Sequence, residues 1–180
     1  MSVLSGESIS RMKVWADGRP QAIFEPLVRR SRHQETNTSY GLSMCGYDIR
    51  LDQDVAIYPG FTTLASTLER FSVPFDAVEV MHDKSTWARL GVQVQNTVAE
   101  PGWRGYLTLE LTLHPVIPIG ASWWKIFWMR QLLAAGLYPP MRLRAGTPIA
   151  QVLCHEVDKK TSGYGDGKYQ NQSRGPQEAR

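Results

Sequence analysis

The chain has 180 residues, two cysteines and a formal net charge of +3. With 42% hydrophobic and 21% charged residues it has the make-up of a folded globular protein with chain enough for one sizeable core, and a disordered chain is excluded. Cys45 and Cys154 supply neither a disulfide framework nor paired CxxC metal knuckles, which points to a reducing, cytoplasmic setting.

Residues 1–15 lack the apolar run of a secretory signal. Within them, residues 5–15 read as a short helix with Ser5 as N-cap and Ile9, Met12 and Val14 on its apolar side. Residues 16–40 are polar, basic and rich in turn formers. Strands dominate from there. Residues 45–52 alternate cleanly, with Tyr47, Ile49 and Leu51 facing one way and Asp48, Arg50 and Asp52 the other. Further short runs are expected to be strands at 55–59, 61–66, 77–81, 91–98, 106–113 and 148–157. They are separated by turn signals at Pro59-Gly60, Pro74, Pro101-Gly102 and Ala145-Gly146. Many short strands with regular turns predict a mainly β fold, an antiparallel sandwich or distorted barrel, and not a βαβ unit. No internal repeat is visible.

Residues 121–135 break the pattern. Trp123, Trp124 and Trp128 lie within six residues, followed by Met129, Leu132 and Leu133, between Gly120 and Gly136. This predicts a helix inserted between two strands, packed at a subunit contact or against the barrel, or else serving as a lid or partner-binding surface. The surrounding apolar run, 116–140, is broken by Lys125 and Arg130 and bounded by prolines, so it does not read as a membrane span. The +3 charge resides in residues 142–180, which hold seven Lys/Arg and four Asp/Glu, while residues 1–141 sum to zero. Such a basic end suits an anionic partner such as a phosphate ester, or is a solubilising tail. Residues 162–180 have the composition of a mobile tail. They also carry Tyr164, Lys168, Tyr169, Gln170 and Gln172, a set suited to ordering over an anionic ligand.

Two segments carry candidate chemistry. In DKSTWARLG (83–91), Asp83 is expected to cap a helical turn that sets Ser85 and Arg89 on one face at i,i+4. Lys84, Ser85, Thr86 and Arg89 offer hydroxyl, ammonium and guanidinium donors that suit phosphate, although a solvent-facing basic turn has the same composition. In EPGWRGYLTLEL (100–111), Leu107, Leu109, Leu111 and Leu113 form the apolar face of a strand. Tyr106, Thr108, Glu110 and Thr112 form the other face. A mid-strand carboxylate on a buried face has a raised pKa and suits general acid–base work; on a wet face it is an ordinary surface glutamate.

Taken together the segments resemble the dCTP deaminase branch of the trimeric dUTPase-like family. The resemblance runs through MSVLSGESISRM (1–12), SYGLSMCGYDIRL (39–51), DKSTWARLGV (83–92), VQNTVAEPGWRGYLTLEL (94–111), MRLRAGTPIAQVLCHE (141–156) and GKYQNQSRGP (167–176). It covers most of the chain outside 115–140. It implies one domain over 1–180 with a distorted antiparallel β-barrel of the β-clip type, a homotrimer with active sites between subunits, and conversion of dCTP to dUTP and ammonia. Carried over residue by residue, the resemblance makes Glu110 the general acid–base. Ser85 and Arg89 hold the attacking water and the phosphates, within the turn formed by Lys84, Ser85, Thr86, Trp87, Ala88 and Arg89. Glu100 contacts the deoxyribose, Thr108 and Leu109 contact the base through backbone, and Gln151 lies near the nucleotide. Tyr164, Lys168 and Gln172 close the tail over the triphosphate. Mg²⁺ is implied with the triphosphate, held mostly by phosphate oxygens and water, and dTTP is implied as a candidate inhibitor.

Zinc deaminases activate water with a His/Cys/Cys site and a P-C-x-x-C signature. This chain has no CxxC, and His33, His82, His114 and His155 fall in no such spacing, so water activation is expected from side chains without zinc. Three other readings stay open. A bifunctional enzyme forming dUMP is one, with Asp48 and Glu100 as carboxylates for the hydrolytic step. A plain dUTP diphosphatase shares the fold and the phosphate turn, but Glu110 and the GKYQNQ tail set this chain apart from it. A non-catalytic nucleotide-sensing module finds its support in the Trp-rich segment.

Overall fold

The computed structural model describes residues 2–179. The chain opens with α1 (Gly6–Arg11), capped by Ser5, whose side chain accepts from the Ser8 amide at 3.2 Å. The helix stops well short of residue 15. Met12 is already extended, and Val14 and Ala16 are buried in β1 (Lys13–Ala16), whose alternation a helix could not satisfy. The turn-rich stretch that follows holds β2 (Arg19–Ala22), β3 (Phe24–Glu25) and β4 (Ser31–Arg32). Next come β5 (Ser39–Leu42), β6 (Tyr47–Arg50), β7 (Val55–Ile57), β8 (Thr63–Ser72) and β9 (Ala77–Asp83). The single-turn α2 (Ser85–Ala88) separates them from β10 (Val92–Val94), β11 (Val98–Ala99) and β12 (Arg104–Leu113). After α3 (Trp123–Ala134) the chain ends in β13 (Met141–Leu143), β14 (Pro148–Glu156) and an irregular tail.

All strand pairings are antiparallel. One sheet runs β10-β12-β8-β3 and the other β11-β9-β14-β6-β5-β4, with two-stranded ribbons β1-β2 and β13-β7 beside them. The core lies between the two main sheets. Tyr47 of β6 stacks on Phe24 of β3 with ring centroids 4.5 Å apart, and Phe24 meets Phe71 of β8 edge-on at 5.2 Å. A bridge between Leu51 and Thr67 joins the sheets at one corner. This is the mainly β architecture that the short alternating runs predict. The alternation holds in detail: Tyr47, Ile49 and Leu51 are fully buried, and so are Leu109 and Leu111.

Of the buried carboxylates, Glu69 and Glu79 are treated differently. Glu69 accepts from the Arg50 amide at 2.9 Å and from Arg50 Nε at 2.7 Å. Burial pushes its carboxyl up, and the Arg50 contacts pull the other way. Glu79, in the middle of β9 and opposite Cys154 of β14, is fully buried, and neither of its oxygens has a hydrogen-bond partner among the described residues. Burial alone holds its carboxyl well above the usual carboxylate range. Burial, and then Glu79 itself, push the neighbouring Cys154 thiol up. Because the folded value is raised, the stability associated with this proton is fully present below the unfolded value of about 4.3 and is lost as pH rises through the folded value. Inside that window the folding equilibrium falls about tenfold for each pH unit. Urea midpoints of wild type are therefore expected to decline between pH 5 and 8 relative to those of Glu79→Gln, which has no proton to release. Parallel pH profiles for the two proteins would count against a proton held by Glu79.

The predicted inserted helix is present, but none of its residues is buried. Lys125, Arg130 and Gln131 fall about one third of a helical turn apart around the axis, so no polar face opposes an apolar one. Trp123 and Trp124 stack at 3.8 Å. The helix ends on Gly136, whose φ of 69° lets the Gly136 amide reach Leu133 O and the Leu137 amide reach Leu132 O at 2.8 Å, a Schellman closure. The expectation that α3 packs against its own barrel is thus overturned. No helix among the described residues is long and apolar enough to cross a membrane.

Candidate functional site

β12 is built to present Glu110. Its odd-numbered leucines, Leu107 to Leu113, are buried, which turns Tyr106, Glu110 and Thr112 to the half-buried face. A bulge between Tyr106 and Thr108 is filled by Thr67, whose Oγ1 accepts from the Leu107 amide at 2.9 Å. Glu110 lines a cavity of about 360 Å³ together with Thr97, Trp103, Thr108, Tyr164 and Gln172. Its Oε2 accepts a hydrogen bond from Thr97 Oγ1 at 3.2 Å.

The tail supplies the cavity's other wall. Residues 162–179, whose composition suggests a free end, lie along β12 here. Asn171 N donates to Arg104 O at 2.8 Å, and Tyr106 N to Gln172 O at 3.0 Å. Gln170, expected among the tail groups that suit an anionic ligand, is instead an anchor: its Oε1 accepts from the Arg104 amide at 2.7 Å and its Nε2 donates to Gly102 O at 3.0 Å. Trp103 Nε1 donates to Tyr169 O at 2.8 Å. Thr108, itself buried, takes Gln172 Nε2 at 3.5 Å and the Gln177 amide at 3.0 Å on its Oγ1. Tyr164 lines the cavity, while Lys168 is exposed outside it with its ammonium 5.3 Å from the Tyr169 ring centre. Leu109 is fully buried and does not line the cavity.

The second group of expected residues lies elsewhere on the chain. Ser85, Thr86, Ala88 and Arg89 are exposed, and none of them lines the Glu110 cavity. The Arg89 amide reaches Ser85 O at 3.2 Å, so the two residues stand one turn apart as expected. Trp87 is buried and its indole donates to Pro148 O, which fixes the turn against β14. Two expectations change. Asp83 does not cap α2; its Oδ1 accepts from the Val94 amide at 2.7 Å, because β10 runs past it. Lys84 is not a free phosphate donor in the single chain. Its ammonium lies 2.6 Å from Asp48 Oδ2 and 3.2 Å from Ser39 Oγ, a largely buried ion pair under the turn. Gln151 joins this side, with Nε2 donating to Ser43 Oγ at 3.1 Å in a cleft that Ser39 also lines. Glu100 is exposed at the Pro101-Gly102 turn and is outside the cavity.

The expected residues thus fall into two groups: Glu110, Thr108, Tyr164 and Gln172 lining one cavity, and Ser85, Thr86 and Arg89 on an exposed turn beside the Asp48–Lys84 pair. Among the described residues no group of three His, Cys, Asp or Glu stands close enough to hold a metal ion. The exposed donors of the turn are hydroxyls and a guanidinium, matched to phosphate oxygens. A Mg²⁺ ion therefore fits this chain as a companion of a triphosphate.

The family profile described as dCTP deaminase-like matches residues 25–121. A protein of Acidithiobacillus ferrooxidans named dCTP deaminase is 31% identical over 208 residues, covering 96% of each chain. One of Anaplasma phagocytophilum with the same name is 36% identical over 110 residues, covering 45% of this chain and 60% of that one. Among solved structures, a mutant dUTPase from phage phi11 of S. aureus, described for its coordination of a structural Mg(II) ion, superposes with a TM-score of 0.50 at 16% identity. That alignment covers 76% of this chain and 88% of the phage chain, and it speaks to the fold alone.

Proposed function

This chain belongs to the dCTP deaminase-like family, and from that premise we propose that it hydrolyses dCTP to dUTP and ammonia. The observation that carries the reading is Glu110, a carboxylate that lines a cavity and accepts a hydrogen bond from Thr97 at one of its oxygens. In the reaction, Glu110 takes a proton from water as the water oxygen adds to C4 of cytosine, and it passes that proton to N3. It then carries a proton from the new hydroxyl to the amino nitrogen, the C4–N bond breaks, and the carboxylate is restored. One water is consumed and one ammonia leaves.

The β12 edge at Thr108 and Leu109 lies between the stretch paired to β10 and the bridge from Gly105 to the tail, which supports reading of the base by backbone groups. Ser85, Thr86 and Arg89 would hold the water and the triphosphate, with Lys168 and Gln172 of the tail adding donors. Mg²⁺ bound on the phosphate oxygens supplies charge neutralisation there. The acid–base cavity and the donor turn are separate in one chain, so we place the active site between copies of a homotrimer. A cytoplasmic location and a single domain over 1–180, with 115–140 as an insertion, belong to the same proposal.

The test is incubation of the purified full chain with dCTP and Mg²⁺, reading ammonia and separating the nucleotides. Ammonia with dUTP in equal amounts is expected. Ammonia with dUMP and pyrophosphate would make the enzyme bifunctional, and hydrolysis of dUTP without ammonia from dCTP would overturn the reading.

A further inference from the structure

Glu110 must keep one oxygen aimed at water and N3 through a full proton cycle. A glutamate on a strand has three rotatable bonds, and held by nothing it samples several directions. The side chain that restrains it is Thr97, whose hydroxyl lies 3.2 Å from Oε2. Thr97 is placed there by a break in the strand pattern. The sequence leads one to expect a continuous strand over 91–98, but β10 ends at Val94 and β11 starts at Val98.

Both sides of the break are pinned. The Gln95 amide donates to Glu110 O at 3.0 Å, and the Met81 amide of β9 donates to Thr97 O at 3.0 Å. The Thr97 hydroxyl also lies 3.4 Å from Gln95 O. The loop thus crosses Glu110 at a fixed height and lowers one hydroxyl onto its carboxylate. Thr97 lines the same cavity as Glu110.

We propose that Thr97 is a positioning residue for the acid–base: it donates to Glu110 Oε2, sets the carboxylate rotamer and leaves Oε1 as the oxygen that works on water and substrate. This rests on the deaminase reading above. The other titratable groups lining the cavity, Tyr164, Tyr169 and Glu178, all come from the tail, while β8 presents Leu64 across from Glu110 and β11 presents Val98.

The experiment compares wild type with Thr97→Val, Thr97→Ala and Thr97→Ser, using dCTP and Mg²⁺ over pH 5 to 9, with urea midpoints to confirm folding. A hydrogen bond to a charged group corresponds to roughly a 10- to 100-fold change in rate. Thr97→Val and Thr97→Ala are expected to lose kcat by that factor with KM within about twofold; Thr97→Ser, which keeps the hydroxyl, is expected to restore kcat. An unchanged kcat in folded Thr97→Val, or equal impairment of Thr97→Ser, overturns the assignment. Absence of ammonia from wild type overturns instead the functional reading on which it rests.

Discussion

Glu110→Gln is expected to bind dCTP and fail to turn it over. The amide keeps the shape of the side chain and can still meet the Thr97 hydroxyl, but it cannot accept water's proton or deliver one to N3. General acid–base catalysis by a placed side chain is worth about 10²- to 10⁴-fold, and here one carboxylate serves both transfers. The loss in kcat should therefore reach at least that range, while binding of dCTP, read by calorimetry in the absence of turnover, stays within a few-fold. The strand should tolerate the change, since the leucines on either side of Glu110 make the core contacts and the carboxylate makes none of them. Near-normal turnover by this variant would remove Glu110 from the mechanism.

The second large effect is a recovery. Arg89→Ala should be nearly inactive on its own, as Glu110→Gln is, because each lacks a residue of one of the two groups. If Glu110 and Arg89 of one active site come from different copies, unfolding and refolding the two variants together creates some intact sites. Random assembly of an equal mixture into trimers gives about one quarter of sites with both residues. Ammonia release from the mixture should rise toward that fraction of wild type, from two preparations that are each nearly silent. No recovery in well-folded mixed trimers would mean that both residues of a site belong to one chain. The exposure of Ser85 and Arg89, and their absence from the lining of the Glu110 cavity, favour recovery.

Period two was the most informative signal in this sequence. It places Tyr47, Ile49 and Leu51 inward and puts Glu110 opposite the buried leucines, and both hold in the structure. Segments without that signal were less legible. The helix expected over 5–15 ends at Arg11, because Val14 and Ala16 belong to a strand whose partner, β2, sits in a stretch of turn formers. The break at 95–97 leaves no mark in composition, since Gln95, Asn96 and Thr97 suit a strand edge as well as a loop. Only the pairing of β11 with β9 instead of β12 reveals it. Lys84 shows a different limit. A lysine beside hydroxyls reads as a phosphate donor, but its charge is taken up by Asp48, distant in sequence and adjacent in space. Glu79 alternates correctly along β9, and no local pattern tells that its face is sealed. The amide side chains of the tail read as groups for an anionic ligand; Gln170 instead uses both ends of its amide to bind the backbone of Gly102 and Arg104.

The excursion between β12 and β13 has no buried residue anywhere in 114–140. It also leaves and returns at nearly one point. Leu113 is bridged to Pro59, and Met141 pairs with Ile57 two residues before it. The entropy of closing such a loop grows only with the logarithm of its length. The fold therefore treats this point as a port. A few residues could replace the whole excursion, a foreign domain could be carried there, or the chain could be given new ends there with the old ones joined elsewhere. The core places almost no restriction on the sequence of α3, and its three tryptophans contribute nothing to it.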